Sequence, residues 1–206
     1  MIRPVAPVSP PTGRRAASAG VQLARRALLA AGLSAAALGL SACAGGPDLA
    51  DYAASGPALA PERYFDGRLE GWGVFQDRFD DVRRRFKVDI VGRWDGETLT
   101  LDEDFVYEDG STEKRVWRLT KTGPDTWRGE AAGVVGEATG RVAGNALNFR
   151  YTFDLVRPNG DTLRVDFDDW LWLQDDRVLV NRAYVSKFGI EIGTLSIFFR
   201  RETPMP

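Results

Sequence analysis

No histidine occurs among the 206 residues of this chain, and there is a single cysteine. Without histidine there is no Ser-His-Asp triad, no Cys-His pair and no ordinary zinc site. The commonest general base near neutral pH is missing too, which leaves carboxylate, lysine or tyrosine chemistry. One cysteine excludes a disulfide within the chain. Walker loops, GxSxG elbows and EF-hand loops are absent. Helical periodicity is scarce, apart from a short helix expected around Ala60–Phe65.

The one long apolar run, Ala27–Ala42, follows Arg25-Arg26 and ends at the cysteine. Its 16 residues are short for a membrane-spanning helix, which needs about 20. A basic n-region, an apolar h-region and small residues before a cut make a secretory signal. Leu40-Ser41-Ala42-Cys43 resembles a bacterial lipobox. That resemblance implies cleavage before Cys43, lipidation of its sulfur and acylation, for instance by palmitate, of the new amine. Two or more acyl chains anchor stably where one does not. Arg25-Arg26-Ala27-Leu28-Leu29 also resembles a twin-arginine motif without the usual Ser/Thr before it, so two export routes stay open. Ala44-Gly45 after the cysteine, with no aspartate, resembles the lipoprotein pattern for release to the outer membrane, which implies its periplasmic face over the inner membrane.

The domain expectation is a signal peptide over 1–42, a flexible tether over 43–61, one β-domain over 62–202 and a tail over 203–206. Residues 1–42 carry five arginines and no acid, so the remaining 164 residues hold 22 basic and 29 acidic side chains. That excess of acid argues against nucleic acid as a partner. The partner expected from the sequence is a membrane, reached through the acyl chains on Cys43.

Beyond the tether, apolar residues alternate with polar ones at period two, the mark of half-buried strands. Phe86, Val88, Ile90, Gly92 and Trp94 share one face; Leu99, Leu101, Phe105 and Tyr107 share another. Leu147, Phe149, Tyr151, Phe153 and Leu155 form the clearest row. Asp95-Gly96, Asp109-Gly110, Gly144-Asn145 and Pro158-Asn159-Gly160 supply turns. The Gly-rich run Val134–Ala143 reads as a bulged or bent strand. Short strands joined by tight turns predict an all-β fold: an antiparallel up-and-down meander of about ten strands, closed as a lipocalin-like (calycin-like) barrel.

Four segments carry a family likeness. They are Trp72-Gly73-Val74-Phe75-Gln76-Asp77-Arg78, Gly92-Arg93-Trp94-Asp95-Gly96, Leu101-Asp102-Glu103-Asp104-Phe105 and Phe167-Asp168-Asp169-Trp170. With the lipobox they resemble the DUF3833 family of uncharacterised bacterial lipoproteins, from about Phe65 to Arg200. The resemblance implies a bacterial envelope lipoprotein, and a genetic association with fatty-acid modification. It implies no catalytic residue and no cofactor.

A meander barrel can hold one small ligand. The strand Leu163–Leu173 is apolar on both faces, with Phe167 and Leu171 on one and Trp170 and Trp172 on the other. Such a strand needs outside cover or a ligand. Arg182 and Tyr184 follow Val178 and Val180 in an apolar row, so Arg182 is the candidate to grip a carboxylate or phosphate. The candidate ligand site is thus Arg182, Tyr184, Phe167, Trp170 and Trp172. The plainer readings are an ordinary aromatic core and an Arg182 salt bridge to Asp168 or Asp169. Glu103 and Asp169 each share a face with large apolar residues, unlike the other acids around them. Three functions compete: a barrel that carries a fatty acid or phospholipid, a structural or interaction module, and a carboxylate hydrolase. The missing histidine and motifs rank the enzyme last.

Overall fold

The computed structural model describes residues 46–157 and 160–205. The signal sequence, Cys43, Pro158 and Asn159 lie outside the described residues. From Pro47 onwards the chain forms one compact unit, whose buried core residues run from Leu59 to Phe199.

A 3-10 turn (Leu49–Tyr52) and a one-turn helix α1 (Pro61–Tyr64) precede ten strands. These are β1 (Gly67–Asp77), β2 (Val82–Trp94), β3 (Thr98–Tyr107), β4 (Thr112–Lys121), β5 (Thr126–Ala131), β6 (Val134–Ala143), β7 (Ala146–Val156), β8 (Thr162–Leu173), β9 (Val178–Lys187) and β10 (Ile190–Arg201). Each strand pairs antiparallel with the next, and β1 closes the ring on β10 in the register Leu69↔Arg201 to Asp77↔Gly193. The result is a closed ten-strand barrel with no free edge. The glycine-rich β6 is bulged as expected, with its register on β7 shifting between Val135 and Thr139.

Period-two alternation decides what faces in. Leu99, Leu101 and Phe105 of β3 and Leu147, Phe149 and Phe153 of β7 are buried. Two glycines of β1 make room for large neighbours. A Cβ on Gly73 would lie 2.2 Å from the Phe86 ring, and one on Gly71 would lie 2.8 Å from Val88. The outward faces carry ion-pair ladders such as Arg93–Asp102, Lys114–Asp104 at 2.5 Å and Arg150–Asp168 at 3.1 Å. Exposed pairs like these contribute about 0–1 kcal/mol each.

The N-terminal segment plugs one end. Leu59, Tyr64 and Phe65 are buried there. The Leu59 amide donates to the Gly144 carbonyl at 2.8 Å. The Tyr64 hydroxyl donates to the Arg177 carbonyl at 3.1 Å. A Cβ on Gly92 would sit 1.7 Å from the Phe65 carbonyl oxygen, so only glycine lets the plug approach β2. The tail also returns to this end, where the Met205 amide donates to the Asp176 carbonyl at 3.1 Å.

Part of the stretch expected as a flexible tether docks on the barrel, through Tyr52 and the buried Leu59. Asp48 caps the 3-10 turn, and Tyr52 lies against Trp170 and Trp172, with ring centroids 6.0 and 6.1 Å apart. Trp170 and Trp172 face outwards, and this segment is their cover. Aromatic contacts add about 0.5–1.5 kcal/mol each beyond area burial. Tyr52→Ala is therefore expected to lower the unfolding free energy by about 1–3 kcal/mol in urea titrations, with the barrel's far-ultraviolet spectrum unchanged.

Candidate functional site: the barrel interior

The five turns that join odd strands to even ones lie at the end opposite the plug. This end is open. Its rim carries exposed apolar side chains: Phe79, Val82, Val156, Phe188 and Ile190. Phe188 is 90% exposed and holds a positive φ of 54°, a conformation that bulky residues seldom adopt.

Below the rim lies an outer chamber of about 380 Å³, walled by Phe75, Phe105, Phe153, Leu155, Leu163, Phe167 and Ile192, among others. Beneath it lies an inner chamber of about 140 Å³. Phe86, Phe105, Arg115, Tyr151 and Leu195 line both chambers and form the waist between them. Arg115 of β4 stands over the Phe105 and Phe153 rings, 5.2 and 5.0 Å from their centroids.

Polar side chains from five strands form a belt across the barrel at this level. Glu103 (β3), Arg115 (β4), Tyr151 (β7), Asp169 (β8) and Asn181 (β9) all line the inner chamber. The Tyr151 hydroxyl donates to Asp169 Oδ2 at 2.8 Å, and Asn181 Nδ2 donates to Asp169 Oδ1 at 2.9 Å. Arg115 Nη2 donates to Glu113 Oε1 at 2.5 Å, while the Tyr107 hydroxyl donates to Glu113 Oε2 at 2.7 Å. Glu103 has no hydrogen-bond partner among the described residues. Below the belt the walls turn apolar again, with Leu101, Trp117, Leu147 and Phe149.

The electrostatics follow from enclosure. Burial pushes the Glu103 carboxyl up to about 7, against the pull of Arg115 and with help from Glu113 and Asp169. Its remaining accessible surface faces the chamber, not bulk water. Burial also raises Asp169, while its bonds from Asn181 and Tyr151 act to lower it. Burial and the neighbouring Asp169 hold the Tyr151 phenol well above its ordinary range. Glu113 is pushed up by burial too, yet Arg115, Tyr107 and Arg84 together hold it below the usual carboxylate range.

Of the residues expected to bind a ligand, only Phe167 lines a chamber. Arg182 is exposed on the outer wall and stacks over Tyr184 at 5.5 Å. It pairs in register with Trp170 and Ser196, not with an acid. Asp168 instead binds Arg150. Trp170 and Trp172 lie beneath Tyr52. The physical reason is parity. Leu179, Asn181, Ala183 and Val185 face inwards on β9 and are buried, so the valine-rich row that holds Arg182 faces out. That row is apolar because it belongs to an external band. In register across four strands, Trp72, Phe198, Val180 and Trp172 form one continuous line.

Glu103 and Asp169 do stand where their apolar neighbours place them. Arg115 and Asn181 were missed, although each carried the same signal. Arg115 shares a face with Trp117 and Leu119, and Asn181 shares one with Leu179 and Val185. Asp102, Asp104, Asp166 and Asp168 all sit on the outer wall. No group of three or more metal-ligating side chains occurs among the described residues.

A family profile described as "Protein of unknown function (DUF3833)" matches residues 37–201. No curated protein matches the chain. Among solved structures, the chain is similar to the S-type phycobiliprotein lyase from Guillardia theta, at 8% identity over 68% of this chain and 89% of that one, with a TM-score of 0.48. It is also similar to a redesigned β-barrel, at 11% identity over 71% of this chain and 100% of that one, with a TM-score of 0.39.

Proposed function

This chain belongs to the DUF3833 family, and we propose that it is an exported lipoprotein whose barrel binds or carries one small, mainly apolar ligand of the lipid class. The observation that carries the reading is the interior itself. The outer chamber, at about 380 Å³, falls within the roughly 300–1,000 Å³ of ordinary small-molecule sites. It is apolar, it opens through an apolar rim, and it ends on a belt of polar groups that can orient a head group. Cys43 is the acylated anchor, and the outer membrane's periplasmic face is the expected location.

Two measurements test this. Organic extracts of the natively purified domain from Asp48 onwards are expected to contain a stoichiometric lipid by mass spectrometry. Arg182→Gln, on the outer wall, should leave that lipid in place. A clean extract with no uptake of added amphiphiles would remove the carrier reading. In cells, incorporation of labelled palmitate should be lost in Cys43→Ala; retained label would refute the anchor.

A second reading is an interaction module. The external band favours it, since Trp72 and Phe198 are 40% and 43% exposed. It predicts that Trp72→Ser abolishes complex formation while leaving ligand content unchanged. The carboxylate-hydrolase reading would draw on Glu103 and Asp169. Their chamber of about 140 Å³ is small for a substrate.

A further inference from the structure

The positive charges that face the interior are already matched. From β2 comes Arg84, exposed at the mouth of the outer chamber; from β3, Glu103; from β4, Arg115 and the Glu113 bonded to it; from β8, Asp169. The other strands add no charged side chain to either chamber wall. The two guanidiniums balance the carboxylates of Glu113 and Asp169. Both of these acids are held by donors: Glu113 by Arg115 and Tyr107, Asp169 by Tyr151 and Asn181. Glu103 is left over, with an unengaged carboxyl in the inner chamber. Arg115 has unused donors as well: among the described residues one of its N–H groups is engaged, by Glu113, out of about five on any guanidinium. The interior therefore offers a ligand one carboxyl and several N–H donors, with no net positive charge to neutralise.

We propose, resting on the carrier reading above, that the polar belt receives an uncharged head group that both donates and accepts hydrogen bonds. A hydroxyl or a primary amide at the end of an apolar chain is the class that fits. Its donor meets Glu103, its oxygen meets Arg115, and its chain lies in the outer chamber. A free carboxylate is disfavoured. It would bring an unmatched negative charge into a site of low dielectric, or have to displace Glu113 from Arg115. This reverses the expectation of a fatty-acid carboxylate gripped by an arginine.

The test is a matched series on the domain from Asp48 onwards: 1-decanol, decanamide and decanoate at pH 8. Each is titrated against a fluorescent apolar probe held by the protein. The alcohol and the amide should displace the probe at concentrations at least tenfold below the carboxylate. Glu103→Leu should cost the alcohol and amide about tenfold and leave decanoate unchanged or improved. Decanoate binding as tightly as the neutral pair would overturn the head-group assignment while sparing the carrier reading. Equal affinities in wild type and Glu103→Leu, with the variant folded by its thermal transition, would also overturn it. Displacement by none of the three would remove the carrier reading itself.

Discussion

Arg201→Met is expected to lower the stability of the barrel by about 3–5 kcal/mol, among the largest effects of any single substitution. Arg201 is 4% exposed, at the end of β10 where the plug docks. Its Nη1 donates to the carbonyls of Arg63 and Asp66 at 2.9 and 2.8 Å, and also to that of Tyr64. Its Nε donates to the Thr203 carbonyl at 2.9 Å. One guanidinium thus satisfies the orphan carbonyls of α1 and pins the C-terminal tail. Methionine fills similar space and donates nothing, so several buried acceptors lose their partner together. Urea unfolding followed by fluorescence gives the value. A change under 1 kcal/mol would mean that the plug is held by packing alone.

Glu103→Gln should have the second large effect, and its sign depends on pH. The folded protein holds the Glu103 proton up to about pH 7, against an ordinary value of 4.5. The folded state therefore binds this proton more tightly than the unfolded state. Stability from this group is complete below the unfolded value and is lost as pH rises through the folded one. The loss amounts to about 3 kcal/mol between pH 4.5 and 7. Asp169, also raised by burial, adds a slope of the same sign. Glu113 is lowered, so its contribution fades only in more acidic solution. The absence of histidine matters here. No imidazole titrates between pH 5 and 8, so a slope in that window reports the buried acids. Wild-type protein should be more stable at pH 5 than at pH 8. Glu103→Gln should gain up to about 3 kcal/mol at pH 8, little at pH 5, and show a flatter profile. An unchanged profile would place the Glu103 carboxyl in contact with bulk water.

The fold was legible because period-two rows and turn glycines act locally. Leu147 to Leu155 reads as one row in the sequence and lines one wall in the structure. The site was legible where a polar residue interrupts an apolar row, as Glu103 and Asp169 do. It was misread on β9, where two rows compete. Val178, Val180 and Tyr184 look like a core face, while Leu179, Asn181, Ala183 and Val185 are the core face. Alternation gives the two faces of a strand but not which one turns inwards. That choice depends on what covers the outside, and here Tyr52 covers Trp170 and Trp172 from a segment that composition marks as a linker. Proline, glycine and alanine indicate low intrinsic order. They say nothing about a docking surface supplied more than a hundred residues later.

The most direct test is the indole N–H spectrum of the nitrogen-15-labelled domain during titration with 1-decanol. Trp117 lines the inner chamber, whereas Trp72 and Trp172 lie on the outer band. Binding in the barrel predicts that the Trp117 indole signal moves saturably while those of Trp72 and Trp172 stay in place. Movement confined to Trp72 and Trp172, with Trp117 unmoved, would contradict an interior site and make the outer wall the functional surface.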